Sequence, residues 1–172
     1  MEMFVLQKTI NFIEKIIIPL NKIAGFIPAI LLFIMMLLTS SDVIGRYFIQ
    51  PITDTYEITE LLLALVVFWG LGYAQIYKEH IVIDVFVKKL NERLQAIIST
   101  VINGSGVIFL IILFQQTLTF AERNNSVTTG QLQLPLSNFI IISGIGLLFF
   151  ILAFFLDFMK SLQKVVSKKD VS

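Results

Sequence analysis

Four long runs of residues without a charged side chain decide what this chain can fold into. They lie at 23–41, 61–77, 94–121 and 135–156. A helix of about 20 apolar residues, at about 1.5 Å per residue, crosses the hydrocarbon core of a bilayer. Charged residues make up 15% of the chain, whereas soluble domains have about a quarter. The sequence therefore predicts an all-α integral membrane protein with four transmembrane helices.

The flanking residues extend these runs to predicted spans over 23–47, 57–77, 94–122 and 135–160. The third run is longer than a bilayer core requires, which predicts a tilted helix or one that projects from the membrane. No internal repeat, low-complexity stretch or flexible linker interrupts the chain. Residues 1–172 are therefore predicted to form a single membrane domain.

The Lys and Arg residues are distributed very unequally between the two sides of the predicted spans. All of the 13 Lys and Arg except Arg46 and Arg123 lie in the N-terminal segment, in the loop after the second span or in the C-terminal tail. Short loops rich in Lys and Arg remain on the cytoplasmic side of a membrane. Both termini are therefore predicted to be cytoplasmic.

Two further segments have the pattern of helices that lie in the membrane interface. Over residues 3–18 apolar side chains recur at helical spacing, from Leu6 to Ile17, and Pro19 predicts a break before the first span. A similar apolar stripe predicts a possible cytoplasmic interfacial helix over 81–92. Such helices either anchor a protein at the membrane surface or brace it against a partner, and the pattern leaves both roles open.

The ionisable residues exclude several kinds of site. No charged side chain falls at the middle of a predicted span, where a transporter normally needs one for its own ion or substrate pathway. His80 is the only histidine and there is no cysteine, which excludes paired haem ligands, a His/Cys zinc cluster and thiol chemistry. A net charge of +1 gives no indication of a nucleic-acid partner. We therefore expect neither an enzyme nor a cofactor or metal site.

Charged residues next to the spans are candidates for structural or partner contacts. Asp42 and Arg46 are four residues apart and can form an ion pair at the outer end of the first span. Glu57 and Glu60 share a face at the start of the second span, where carboxylates complement the helix dipole. Arg46 could bridge to either glutamate, which would lock the first two helices together or offer a docking surface.

A third charged group follows the second span on the predicted inner side. It consists of Glu79, His80 and Asp84, beside Lys78. This group could bind a loop of a partner or a lipid headgroup, and a solvated turn explains it equally well. Its chemistry alone does not choose between these roles.

Within the spans, several residues indicate close contacts between helices. Trp69 lies near the middle of the second span, although tryptophan is usual at the membrane interface, so a contact with another helix or another membrane protein is expected. Polar residues such as Gln75 and Asn103 can form hydrogen bonds between helices, and small residues let helices approach closely. The glycines concerned are Gly70 and Gly72, Gly104 and Gly106, and Gly144 and Gly146.

The order of these features resembles that of a known family. The residues that carry the resemblance are 42–47 at the end of the first span, Glu57 and Glu60 at the start of the second span, and 79–81 with Asp84 just after the second span. In this the chain resembles the small membrane subunit, the DctQ-like component, of tripartite ATP-independent periplasmic (TRAP) transporters. It departs from the family at two places. A glycine often precedes the Glu-His pair, where this chain has Lys78, and two adjacent acids often open the second span, where Glu57 and Glu60 are separated by two residues.

The resemblance implies an accessory or scaffold subunit that binds no substrate itself. Its partners would be a large elevator-type membrane subunit, with which it forms a heterodimer, and a periplasmic substrate-binding protein. The complex would import organic acids, of the four-carbon dicarboxylate or sialic acid type, with sodium across a bacterial inner (cytoplasmic) membrane. The candidate residues for docking the binding protein are then Arg46, Asp54, Glu122 and Arg123.

Two other functions remain open at this stage. A membrane anchor subunit of a redox enzyme would need cofactor ligands or a soluble catalytic partner, and the single histidine argues against a haem version. A stand-alone four-helix small-molecule exporter that carries cations would need an acidic residue inside a span.

Overall fold

The computed structural model describes residues 2–48, 50, 52, 54–77, 91–130 and 132–167. In this part of the chain there are four helices, which we call α1 (Glu2–Phe48), α2 (Thr55–Ile76), α3 (Glu92–Arg123) and α4 (Leu136–Ser167). An isolated antiparallel β-bridge joins Thr128 to Pro135 in the loop between α3 and α4. The α1–α2 loop and the α3–α4 loop lie at the same end of the bundle, which we call the loop end.

All four helices are long and apolar enough to cross a membrane. The most apolar stretch of each helix has a mean hydropathy between 1.5, in α2, and 2.9, in α4. The prediction of an all-α protein with four such helices is therefore confirmed for the residues that the structure describes. Which side of the membrane each end faces stays a prediction.

The predicted helix break at Pro19 is wrong. α1 is one continuous helix of 47 residues that contains both Pro19 and Pro28. Proline removes one backbone hydrogen bond from a helix interior, a loss that membrane helices tolerate when neighbouring helices support them. Here Ile17 and Asn21, on either side of Pro19, are 5% and 1% exposed, so packing supports the helix on both sides. That residues 3–18 lie along the membrane surface stays a prediction.

The helices differ in length in a way that shapes the bundle. α2 has 22 residues, about 33 Å, which matches the thickness of the bilayer core. α3 and α4 have 32 residues each, about 48 Å, and α1 is longer still. The three longer helices extend past the end of α2 on the side away from the loop end. At about 48 Å, α3 is longer than the hydrocarbon core of a bilayer requires.

α4 is the central helix of the bundle. It packs along α1, α2 and α3, and α1 also packs along α2. In the most apolar stretch of α4, 33% of the residues are buried, against 6% to 11% in the other helices. Its side chains Leu147, Ala153 and Leu156 are at most 3% exposed and form the middle of the core.

The possible interfacial helix over 81–92 falls almost entirely on residues 78–90, which lie outside the described residues. The same is true of the third charged group, formed by Glu79, His80 and Asp84.

Candidate functional site

The Asp42 carboxylate joins the end of α1 to the loop that follows it. Its Oδ2 accepts hydrogen bonds from Arg46, at 3.0 Å from Nε and 2.7 Å from Nη2, and its Oδ1 accepts one of 2.9 Å from the backbone N–H of Ile52. The Asp42 side chain is 5% exposed and that of Arg46 is 58% exposed. The buried carboxylate therefore has three donors, whereas much of the guanidinium faces outward.

The start of α2 is fixed by its backbone and by Thr55. Asp54 has φ 70° and ψ 13°, and its side chain forms no capping hydrogen bond. The buried Thr55 instead donates a hydrogen bond of 3.1 Å to the carbonyl oxygen of Ile52. The carboxylate of Asp54 is therefore not used to begin the helix.

Glu57 of α2 holds the loop between α3 and α4. Its Oε1 accepts a hydrogen bond from the backbone N–H of Gly130, and its Oε2 accepts one of 3.4 Å from that of Leu132. The loop is closed by Thr129, whose N–H donates to the carbonyl oxygen of Leu134 at 2.9 Å and whose hydroxyl accepts from the N–H of Leu134 at 3.0 Å. Glu57 thus connects the two helical hairpins at the loop end.

The other sequence-predicted residues at the loop end are exposed. The side chains of Glu60, Glu122 and Arg123 are all on the surface. The structure therefore brings seven candidate residues to one end of the bundle. Asp42 is buried, and the other six are partly or fully accessible: Arg46, Asp54, Glu57, Glu60, Glu122 and Arg123. The bridge from Arg46 to a glutamate of α2 stays a prediction.

Trp69 makes its contacts with α4 of the same chain. Its Nε1 donates a hydrogen bond of 3.0 Å to the carbonyl oxygen of Ile142, and its ring lies 5.3 Å from that of Phe149 between centroids. A Cβ added at Gly146 would lie 2.7 Å from Cδ1 of Trp69 and 2.9 Å from its backbone nitrogen. Glycine at 146 is therefore required for this close approach of α2 and α4.

One turn of α4, away from the loop end, binds all three other helices through side chains. Asp157 accepts a hydrogen bond of 2.9 Å from Gln75 of α2, and Ser161 accepts one of 3.1 Å from Asn103 of α3. Lys160 forms an ion pair with Glu14 of α1, with 2.7 Å between Nζ and Oε1. Gln75 and Asn103 were recognisable as interhelical donors, but their acceptors were not, because no local pattern marks a partner on a distant helix.

Asn21 is the most buried polar residue of α1. It is 1% exposed, its Nδ2 donates to the carbonyl oxygen of Ile17 at 3.2 Å, and its Oδ1 has no hydrogen-bond partner within the described part of the chain. Gly72 of α2 makes room for it, since a Cβ there would lie 2.4 Å from Oδ1. No motif in the sequence distinguishes Asn21 from other asparagines, so its role could not be predicted.

These contacts hold helices and loops together. In the described ranges, no group of three or more His, Asp or Glu residues is placed to hold a metal ion. The charged side chains of the loop end present an accessible surface of both signs, suited to contact with another protein.

Comparison with protein families identifies a match over most of the chain. The model described as "Tripartite ATP-independent periplasmic transporters, DctQ component" matches residues 35–164, which include all of α2 and α3 and the loop-end residues. Searches of curated proteins and of solved structures gave no match. Because the family match covers well over half of the chain, the chain belongs to the DctQ family, a membrane component of TRAP transporters and not an enzyme.

Proposed function

We propose that this chain is the scaffold subunit of a sodium-driven importer of organic acids. In this proposal it forms a heterodimer with a large elevator-type membrane subunit, and the large subunit receives substrate from a periplasmic substrate-binding protein. Family membership supports a role in a tripartite transporter. It is inconsistent with the two alternatives, a redox-enzyme anchor and a stand-alone exporter.

The scaffold role is supported by the contacts that polar side chains form between helices and with a distant loop. Asp157, Lys160 and Ser161 of α4 each bind a different helix, and Glu57 binds the loop of the opposite hairpin. An elevator mechanism needs a part that stays fixed while another part moves. A bundle cross-linked at both ends is suited to be the fixed part.

We also propose that the loop end docks the substrate-binding protein. The candidate residues Arg46, Asp54, Glu122 and Arg123 are accessible there, and the positive-inside pattern predicts that this end faces the periplasm. Asp42 and Glu57 hold the backbone of the two loops, so these charges would be presented in fixed positions. Charges of both signs favour correct orientation of a partner more than strong affinity.

The experiment is uptake into vesicles that contain this chain and the large subunit, with purified binding protein and an inward sodium gradient. Labelled four-carbon dicarboxylate and labelled sialic acid are tested separately. We expect uptake of one of them, with loss of at least tenfold when this chain, the binding protein or sodium is omitted. Undiminished uptake by the large subunit without this chain would contradict the scaffold role.

The docking residues are tested in the same assay. Glu122→Lys is the cleanest reversal, because the Glu122 side chain is exposed. Lys164→Glu, an exposed reversal at the other end of α4, is the matched control. We expect Glu122→Lys to raise the binding-protein concentration required for half-maximal uptake severalfold, with the control unchanged. Equal behaviour of the two variants would contradict docking at the loop end.

A further inference from the structure

An open groove of about 460 Å³ lies between α2 and α3 at the loop end, with α4 as its floor. It exists because α2 and α3 both pack along α4 but not along each other. On α2 it extends from Leu61 to Phe68, and on α3 from Arg123 to Gln116. Each stretch covers about 10 Å of helix, so the groove runs from the membrane surface into one leaflet.

The walls of the groove are apolar, even where their residues carry hydroxyl groups. The hydroxyls of Thr117, Thr119 and Ser143 each donate to the carbonyl oxygen four residues earlier, at 2.8, 3.1 and 2.9 Å. Their hydrogen atoms are therefore not available to an occupant, which apart from Gln116 and Arg123 meets methyl and methylene groups and aromatic rings. Such a surface suits a hydrocarbon chain, whereas water would find few partners there.

The mouth of the groove carries a positive charge, the guanidinium of Arg123. Arg123 ends α3 and is exposed, and among the residues that the structure describes no carboxylate lies within ion-pair distance of it. Arg46, the other guanidinium at the loop end, is already paired with Asp42. Arginine binds phosphate through two parallel hydrogen bonds, so its planar group fits a phosphodiester well.

We propose that this groove binds one phospholipid of the leaflet at the loop end. One acyl chain lies between α2 and α3 against α4, and the phosphate lies on Arg123. Gln116, exposed on α3 deeper in the groove, can donate to an ester carbonyl of the same lipid. The lipid fills the space left where α2 and α3 do not pack along each other.

The test is native mass spectrometry of the full-length protein after prolonged detergent washing, which counts the phospholipids retained per chain. Arg123→Gln removes the cation, and Ala64→Phe fills the groove from an exposed position on α2. The matched controls are Lys164→Gln, an exposed cation at the other end of the bundle, and Ala29→Phe, an exposed alanine on α1. All four positions are accessible, so the variants are expected to fold.

We expect one retained phospholipid in the wild type and in both controls, and a decrease of at least tenfold in its occupancy in Arg123→Gln and Ala64→Phe. Equal retention in all five proteins would overturn the proposal. A protein segment cross-linked to a photoreactive residue at position 64 would also overturn it, because the groove would then hold a partner helix. The number of retained phospholipids is measured without transport, so this result is independent of the uptake experiment.

Discussion

The indole nitrogen of Trp69 lies 3.0 Å from the carbonyl oxygen of Ile142, and this hydrogen bond joins α2 to α4. Ile142 lies four residues before Gly146, so the contact is about one turn from the close approach of the two backbones at Gly146. An aromatic side chain in the middle of a span is explained here by a helix contact within the chain. The contact makes α2 and α4 a tightly packed pair.

This packing predicts a clear difference between two glycines of the bundle. Gly146→Ala places a Cβ 2.9 Å from the backbone of Phe68 and Trp69, whereas a Cβ at Gly70 meets nothing within 4 Å. Overpacking costs typically about 1 to 3 kcal/mol, whereas alanine in place of a helical glycine in open space stabilises the helix by up to about 1 kcal/mol. Unfolding in mixed micelles with increasing dodecyl sulfate measures both variants. Equal losses would show that the helices are not in close contact at Gly146.

A second prediction concerns the loop that Glu57 holds. Glu57→Gln weakens the hydrogen bonds to the N–H groups of Gly130 and Leu132, because a neutral acceptor is weaker than a carboxylate. We expect these two amides to exchange with deuterium about tenfold faster, which corresponds to about 1.4 kcal/mol of lost protection. Glu60→Gln, one turn further on the same helix and exposed, is the control and should leave their exchange unchanged. Unchanged exchange in Glu57→Gln would remove the role of Glu57 as the anchor of this loop.

The unequal burial of Asp42 and Arg46 predicts an unequal effect of the two members of this ion pair. Arg46→Gln leaves a buried carboxylate with the N–H of Ile52 as its remaining donor, whereas Asp42→Asn leaves a guanidinium that is already exposed. We therefore expect the melting temperature in detergent to fall more for Arg46→Gln. The double variant should recover part of that loss, because it contains no unpaired buried charge. A larger loss in Asp42→Asn, or simple additivity, would be inconsistent with this account.

Membrane orientation can be measured directly because the chain contains no cysteine. Ser126→Cys places a thiol in the α3–α4 loop, and Lys164→Cys places one near the other end of α4, both at exposed positions. The positive-inside pattern predicts that an impermeant maleimide added to intact spheroplasts labels position 126 and not position 164. After lysis both should be labelled. The reverse pattern would show that the termini face the periplasm.

Much of the fold follows from local properties of the sequence. A charge-free run of sufficient length predicts a spanning helix wherever it occurs, and the spacing of Asp42 and Arg46 is enough to suggest an ion pair on one helix. The break predicted at Pro19 was wrong because its outcome depends on packing against distant residues. Local sequence favours a break, but burial of Ile17 and Asn21 by neighbouring helices favours a continuous helix.

The contacts that organise the site depend on distant parts of the chain. Glu57 binds backbone N–H groups more than 70 residues away, and backbone partners have no residue type by which a sequence could reveal them. The same limit applies to Lys160 and Glu14, which are 146 residues apart and form one ion pair among many that the charges would allow. Neither contact could be predicted without the arrangement of the helices.

The central claim is that this chain acts as an accessory subunit of a larger transporter. The most direct measurement is mild detergent extraction of the tagged protein from its native membrane, followed by mass determination of the intact complex. The account predicts one copy of this 19.5 kDa chain with one copy of a much larger polytopic membrane protein. Recovery of a homo-oligomer of this chain alone, or of a complex with a soluble oxidoreductase, would contradict it.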